Sequence, residues 1–153
     1  MNQAVVEIQR VPNNSSSDPS PKEERLRSLF RDLESVIVAY SGGVDSSYVA
    51  YIANSVLGER AVCITGESAS LPAYQHDEID NVVKTFGFHH DRIQTEELEH
   101  PEYQANNGNR CYFCKDELYG KLEKVAQNRG ITTIVDGSTT DDLGDYRPGR
   151  QAA

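Results

Sequence analysis

The stretch Ser35-Val36-Ile37-Val38-Ala39-Tyr40-Ser41-Gly42-Gly43-Val44-Asp45-Ser46-Ser47 decides how the chain folds. Its apolar, β-branched start reads as a buried strand over 36–40, of about the usual five residues. Two glycines follow, and then small hydroxyl residues open an amphipathic helix expected from Ser46 to Leu57. Gly42 and Gly43 carry no Cβ, so each allows unusual backbone angles and close approach of another group. A turn of this kind aims several backbone N–H groups and the positive end of a helix at one spot, which suits phosphate. Ser41, Ser46 and Ser47 add hydroxyl donors, and Asp45 can cap the helix or help hold Mg²⁺. A plain strand-to-helix turn is the competing reading, but the full Ser-Gly-Gly-x-Asp-Ser string favours a binding loop. It is not a Walker A loop, because no G-x-x-x-x-G-K-[ST] pattern is present.

Working outward, Leu26, Leu29, Phe30 and Leu33 recur at helical spacing and predict a helix over 22–34. Before it, residues 1–24 are rich in Asn, Ser and Pro and are expected to be a flexible tail, leaving 25–153 as one nucleotide-binding domain. Downstream of the loop, Ala61 to Thr65 predicts a second strand. A helix from Ser70-Leu71-Pro72 to Phe86 is expected to bury Ile79, Val82, Val83 and Phe86, with Gly87 stopping it. Phe88 to Gln94 reads as a third strand, and Thr95 opens a short acidic turn. A helix from Cys111 to Asn128 then buries Leu118, Leu122, Val125 and Ala126, and Ile131 to Val135 reads as a fourth strand. Alternating strands and helices specify an α/β fold, a parallel twisted sheet with helices on both faces. The loops at 41–47, 66–72, 95–114 and 136–149 then emerge together beyond the carboxyl ends of the strands, where ligands bind in such sheets. Ser68, Asp136 and Gly137 accordingly join Ser41, Gly42, Gly43, Asp45, Ser46 and Ser47 as candidate nucleotide contacts.

Composition narrows the function. The 153 residues carry 24 acidic and 15 basic side chains, a net charge of −9, which disfavours broad nucleic-acid or anionic-membrane binding. No apolar run approaches the roughly 18 residues of a spanning helix, and the N-terminus lacks a basic-then-apolar signal pattern, so a cytoplasmic protein is expected. The mean hydropathy of −0.60 is polar for one compact domain, in keeping with the expected tail. Self-association is left open.

Three cysteines in a chain without a secretory mark argue against a disulfide framework. Cys63, inside the apolar run 61–65, reads as an inert buried thiol. Cys111 and Cys114 sit three residues apart at a helix start, where the dipole, Arg110 and Lys115 favour thiolate. Two thiolates suit Zn²⁺ or an iron–sulfur cluster but complete neither; a redox pair and simple packing are the alternatives. The histidines His76, His89, His90 and His100 read as ordinary surface residues. Tyr40, Tyr48, Tyr51, Tyr112 and Tyr119 read as core or rim, where one can border a nucleotide. In the segment from Asp136 to Arg150, acidic side chains can bind Mg²⁺, and Arg147 and Arg150 can clamp a phosphate or carboxylate.

The loop resembles the pyrophosphate loop of the PP-loop ATP pyrophosphatases, which grip the β,γ-pyrophosphate of ATP and react at its α-phosphorus. Four strings in order extend the likeness: Ala39 to Ser47; Arg110-Cys111-Tyr112-Phe113-Cys114-Lys115; Val135-Asp136-Gly137-Ser138; and Asp145-Tyr146-Arg147-Pro148-Gly149. Together they resemble the LarE family of ATP-dependent sulfur transferases, over residues 25–150. The resemblance implies that Mg·ATP adenylates a carboxylate of a pyridinium dicarboxylate mononucleotide and that sulfur replaces AMP, in nickel-pincer cofactor biosynthesis. It implies catalytic roles for Asp45 and Arg147, and Cys111 and Cys114 as two ligands of a [4Fe–4S] cluster. The family's third cysteine lies in a Cys-x-Ser-Ser-Arg string and is expected outside these residues, as is the substrate-binding C-terminal region. The alternatives are a tRNA thiolase, which the charge of −9 opposes; an NAD-synthetase-type amide-forming enzyme, to which the cysteine pair is superfluous; and a non-catalytic ATP-binding module.

Overall fold

The computed structural model describes residues 19–69, 71–95 and 110–138, with side chains of 110–114 left outside that description. At its centre is β1 (Val36–Ala39), in which all four residues are buried. A strand with no polar face must be covered on both sides. Alternate residues do this work: Val36 and Val38, with Tyr40 just beyond, enter a core with Phe30, Ala50, Ile52 and Ile79. Ile37 and Ala39 point the other way, into a smaller core with Ile64, Leu122 and Ala126.

The helices supply those two layers. α1 (Pro21–Arg31) is started by Ser20, whose hydroxyl accepts from the Glu23 N–H, and by Pro21 in its first turn. It lies against α2 (Val44–Leu57), with Arg27 donating to Ser55 Oγ at 2.9 Å and Tyr48 to Glu23 at 3.2 Å. α3 (Ala73–Phe86) joins the same layer, and α4 (Arg110–Arg129) covers the opposite face. With β2 (Ala61–Glu67), β3 (His90–Gln94) and β4 (Ile134–Val135), β1 forms a fully parallel sheet in the order β3-β2-β1-β4. The chain thus runs from β1 outward through β2 to β3, then crosses back to the other side of β1. That reversal creates a crevice between the carboxyl ends of β1 and β4, the usual ligand position in such sheets.

The α/β architecture agrees with the sequence expectation, and the departures have local causes. α1 begins at Pro21, so its first turn claims residues 21–24 from the expected tail; 1–18 lie outside the described residues. α2 begins at Val44, two positions before Ser46, because Gly43 already has the extended backbone of a cap. Pro72 precedes α3 as its cap and is not inside it. Phe86 is 55 % exposed and not buried, since Gly87 (φ +68°) ends the helix there; its ring stacks on Phe88 instead. β4 holds two residues, not five, although Ile37 N–H also reaches the Thr133 carbonyl. The turn expected after Thr95 lies outside the described residues.

Two of the histidines, His76 and His90, differ from the surface reading; His89 is exposed as expected, and His100 lies outside the described residues. Thr65 Oγ1 donates to the Tyr40 carbonyl at 2.8 Å and therefore accepts from His90 Nε2 at 2.8 Å, a tautomer assignment that follows from the single hydroxyl proton. Burial holds the His90 imidazole below its ordinary value. His76 sits among Glu67, Arg92 and Asp80, where Arg92 pairs with both carboxylates. Cys63 is fully buried as expected, its thiol pushed up to about 11 by burial.

The two loop glycines carry different constraints. Gly42 has φ +83°, and a Cβ there would stand 2.7 Å from Ile79 Cγ1; Gly43 has φ −70° and an added Cβ would meet only Ser41 Oγ, at 3.5 Å. Gly42→Ala should therefore lower stability by about 1–3 kcal/mol, the cost of a strained left-handed residue and a repacked neighbour. Gly43→Ala should stay within about 0.5 kcal/mol of wild type. Urea-unfolding midpoints of the two variants check this contrast.

Candidate functional site

Ser46 holds the turn between β1 and α2 in shape. Its side chain is buried, and its hydroxyl donates to the Gly43 carbonyl at 3.1 Å. With that proton committed, the 3.1 Å contact to Ser41 Oγ must run from Ser41 to Ser46. Gly43 N–H in turn reaches Ser41 Oγ at 3.4 Å, closing a ring of three bonds. The serines thus brace the loop from within. Donation to an anion is left to the backbone N–H groups of α2's first turn, because its Gly43 cap offers no side-chain acceptor.

On the far side of the crevice, β4 delivers Asp136, Gly137 and Ser138. A Cβ on Gly137 would come within 2.6 Å of Ser46 N and 2.8 Å of its Cα, so this backbone approaches the loop as only glycine can. Between the two lies a cavity of about 290 Å³, lined by Ser41, Gly43, Asp45, Ser46, Asp136 and Gly137 together with Ala39, Val44, Lys115, Tyr119 and Ser138. A second hollow of about 270 Å³ flanks the loop on the α3 side, touching Gly42, Gln75, Glu78 and Ile79.

Most of the candidate contacts therefore share one cavity. Gly42 faces the α3-side hollow, and Ser47 shares a 3.2 Å bond with the Tyr40 hydroxyl. Ser68 borders neither hollow; its carbonyl accepts from Leu71 N–H. Asp45 stands in the first turn of α2, exposed on the cavity wall, and is not the cap. Arg147 lies outside the described residues, and Cys111 and Cys114 are placed only as backbone in the first turn of α4. Among the described residues no group of three or more His, Cys, Asp or Glu gathers as a metal would need. Nor is any helix there long and apolar enough to cross a membrane.

Lys115 and Tyr119 were not singled out as site residues, although their i, i+4 spacing on α4 places them on one stripe. Tyr119 donates to Asp136 Oδ2 at 2.6 Å, and Ser138 N–H donates to Oδ1 at 2.9 Å. Burial pushes the Asp136 carboxyl up, but these bonds to its ionised form outweigh burial and hold it below the usual carboxylate range. Burial and the same bond push the Tyr119 phenol far up, so it stays a neutral donor.

Linkage follows from the Asp136 depression. Its contribution to stability is complete above the unfolded carboxylate value of about 4 and is lost as pH falls through the lower folded value. Asp136→Asn should thus be less stable than wild type by a constant margin from pH 5 to 8. That margin should shrink below about pH 4, as followed by urea unfolding across pH.

The family described as NAD synthase matches residues 26–118. An uncharacterized protein of Synechocystis sp. is 46% identical over 132 residues, 86% of this chain and 49% of its own length. The pyridinium-3,5-bisthiocarboxylic acid mononucleotide synthase of Lactiplantibacillus plantarum is 29% identical over 132 residues, 86% of this chain and 48% of its own. The chain thus spans about half the length of these two relatives. Among solved structures, an NH3-dependent NAD synthetase from Campylobacter jejuni superposes with a TM-score of 0.64 at 13% identity, over 79% of this chain and 57% of that one. The shared fold and the extent of the family match lead to one conclusion: the chain belongs to the NAD synthase family of PP-loop proteins.

Proposed function

We propose that this chain is the ATP-binding part of a sulfur transferase of LarE type, which adenylates a carboxylate of a pyridinium dicarboxylate mononucleotide. The observation that carries the proposal is the cavity at the β1–β4 crevice, where helix amides, one ammonium and two carboxylates meet around a glycine loop. Likeness to the bisthiocarboxylic acid mononucleotide synthase over 86% of the chain supports the choice of substrate.

In the proposed reaction a substrate carboxylate oxygen attacks the α-phosphorus, the bond to the α,β-bridging oxygen breaks, and pyrophosphate leaves. A sulfur nucleophile then attacks the acyl carbon and AMP departs with its oxygen. The amides of Val44 and Asp45 at the start of α2 would face the pyrophosphate, where fixed donors stabilise accumulating charge. Lys115 offers its ammonium from the opposite wall. Asp136 is already engaged by two donors, so the exposed Asp45 carboxylate is the side chain that would hold Mg²⁺. Bound there, Mg²⁺ would neutralise phosphate charge. Cys111 and Cys114 remain sulfur-site candidates by resemblance alone.

The family match favours one second reading, amide formation of NAD-synthetase type, in which ammonia takes the place of sulfur. Pyrophosphate release from Mg·ATP separates the two. Release that depends on pyridinium-3,5-dicarboxylate mononucleotide is expected; release that depends on deamido-NAD and ammonia would select the second reading. ATP binding with no release for either acceptor would leave a binding module. Gly43→Val should reduce ATP affinity by about 10-fold or more while the protein stays folded, because the added methyls project into space kept open beside the loop.

A further inference from the structure

The α4 wall of the cavity holds an arrangement that the phosphate loop does not account for. Asp136 accepts from Tyr119 through Oδ2 at 2.6 Å and from Ser138 N–H through Oδ1 at 2.9 Å, so its carboxylate plane is fixed from both ends. Lys115, one helical turn before Tyr119, stands 3.9 Å from the same Oδ2. That is too long for a hydrogen bond, which closes at about 2.7–2.9 Å for an ammonium and a carboxylate. A flexible lysine stem could close the gap, because a carboxylate oxygen takes two donors; Tyr119 already supplies one, which lowers what a second would contribute.

We infer that Tyr119 is a positioning residue which, by occupying Asp136 Oδ2, keeps the Lys115 ammonium from collapsing onto the carboxylate and free to meet an anion in the cavity. The anion is a phosphate or carboxylate group, and this part of the inference rests on the ATP-site reading above. Without the hydroxyl, Oδ2 loses its donor while remaining partly desolvated, and the Lys115 ammonium stands 3.9 Å away. The ammonium would then spend its charge on Asp136 instead of on the ligand.

Two measurements on the full chain test this. The first needs no nucleotide: the rate at which Lys115 is acetylated by acetic anhydride, read by peptide mass spectrometry. Tyr119→Phe should slow it about threefold or more, as a new charge-assisted pair protects the amine. An unchanged or faster rate in folded Tyr119→Phe would overturn the inference. Asp136→Asn, which removes the carboxylate charge and keeps the Tyr119 side chain in place, should label within about twofold of wild type, since a 3.9 Å pair protects little. Labelling several times faster than wild type would mean that Lys115 was already held by Asp136, and the inference would fall.

The second measurement is Mg·ATP affinity by calorimetry. Tyr119→Phe should weaken it by about tenfold and Lys115→Met by at least as much, each near the loss of one charged contact. The double variant should bind no more weakly than Lys115→Met alone, because both changes remove the same ammonium. Additive losses would mean that Tyr119 acts by another route. A wild type that binds no Mg·ATP removes the ATP-site reading, while the acetylation rates still decide whether Tyr119 keeps Lys115 and Asp136 apart.

Discussion

Two stretches of backbone, one leaving β1 and one leaving β4, touch with no side chain between them. A single methyl on Gly137 would sit inside the van der Waals envelope of Ser46 N and Asp45 C. That contact sets the width of the crevice between the two strands, and the other features of the site follow from it. Ser46 is buried beneath the contact and braces the loop; Asp136 is carried to the edge of the cavity; Lys115 and Tyr119 on α4 then find it within reach. The parallel order β3-β2-β1-β4 supplies the crevice, and the glycine contact gives it its depth.

Chemistry is divided along the same line. The β1–α2 side contributes helix amides, a partial positive charge that costs no side-chain entropy to hold in place, and beside them the Asp45 carboxylate. The β4–α4 side contributes full charges of both signs, which can be moved, paired and screened. The α3-side hollow beyond Gly42 gives the loop a second exposed flank.

Much of this was legible from residues alone, for reasons that can be named. β1 was readable because four apolar residues precede a glycine pair, and the burial of all four is what a central parallel strand demands. The start of α2 was placed at Ser46 because serine and aspartate are the habitual caps; the chain uses Gly43 and leaves its amides without an internal acceptor. Phe86 looked buried by periodicity, but a helical stripe does not reveal that the helix stops at the next residue. Lys115 was read through its cysteine neighbours and Tyr119 as a rim aromatic, since one-dimensional spacing does not say which face of α4 meets β4. Arg147 lies outside the described residues, so its reading still rests on resemblance.

The alternation along β1 has one more consequence. Its odd and even side chains enter two cores that differ in size and shape, one filled from α1, α2 and α3 and the other from α4. Sliding the strand by one position would therefore exchange the contents of the two compartments, turning Tyr40 toward the smaller one and the glycine loop to the wrong side. The apolar interior thus works as a key that admits a single alignment, and the direction in which the loop opens is settled by packing before any ligand arrives.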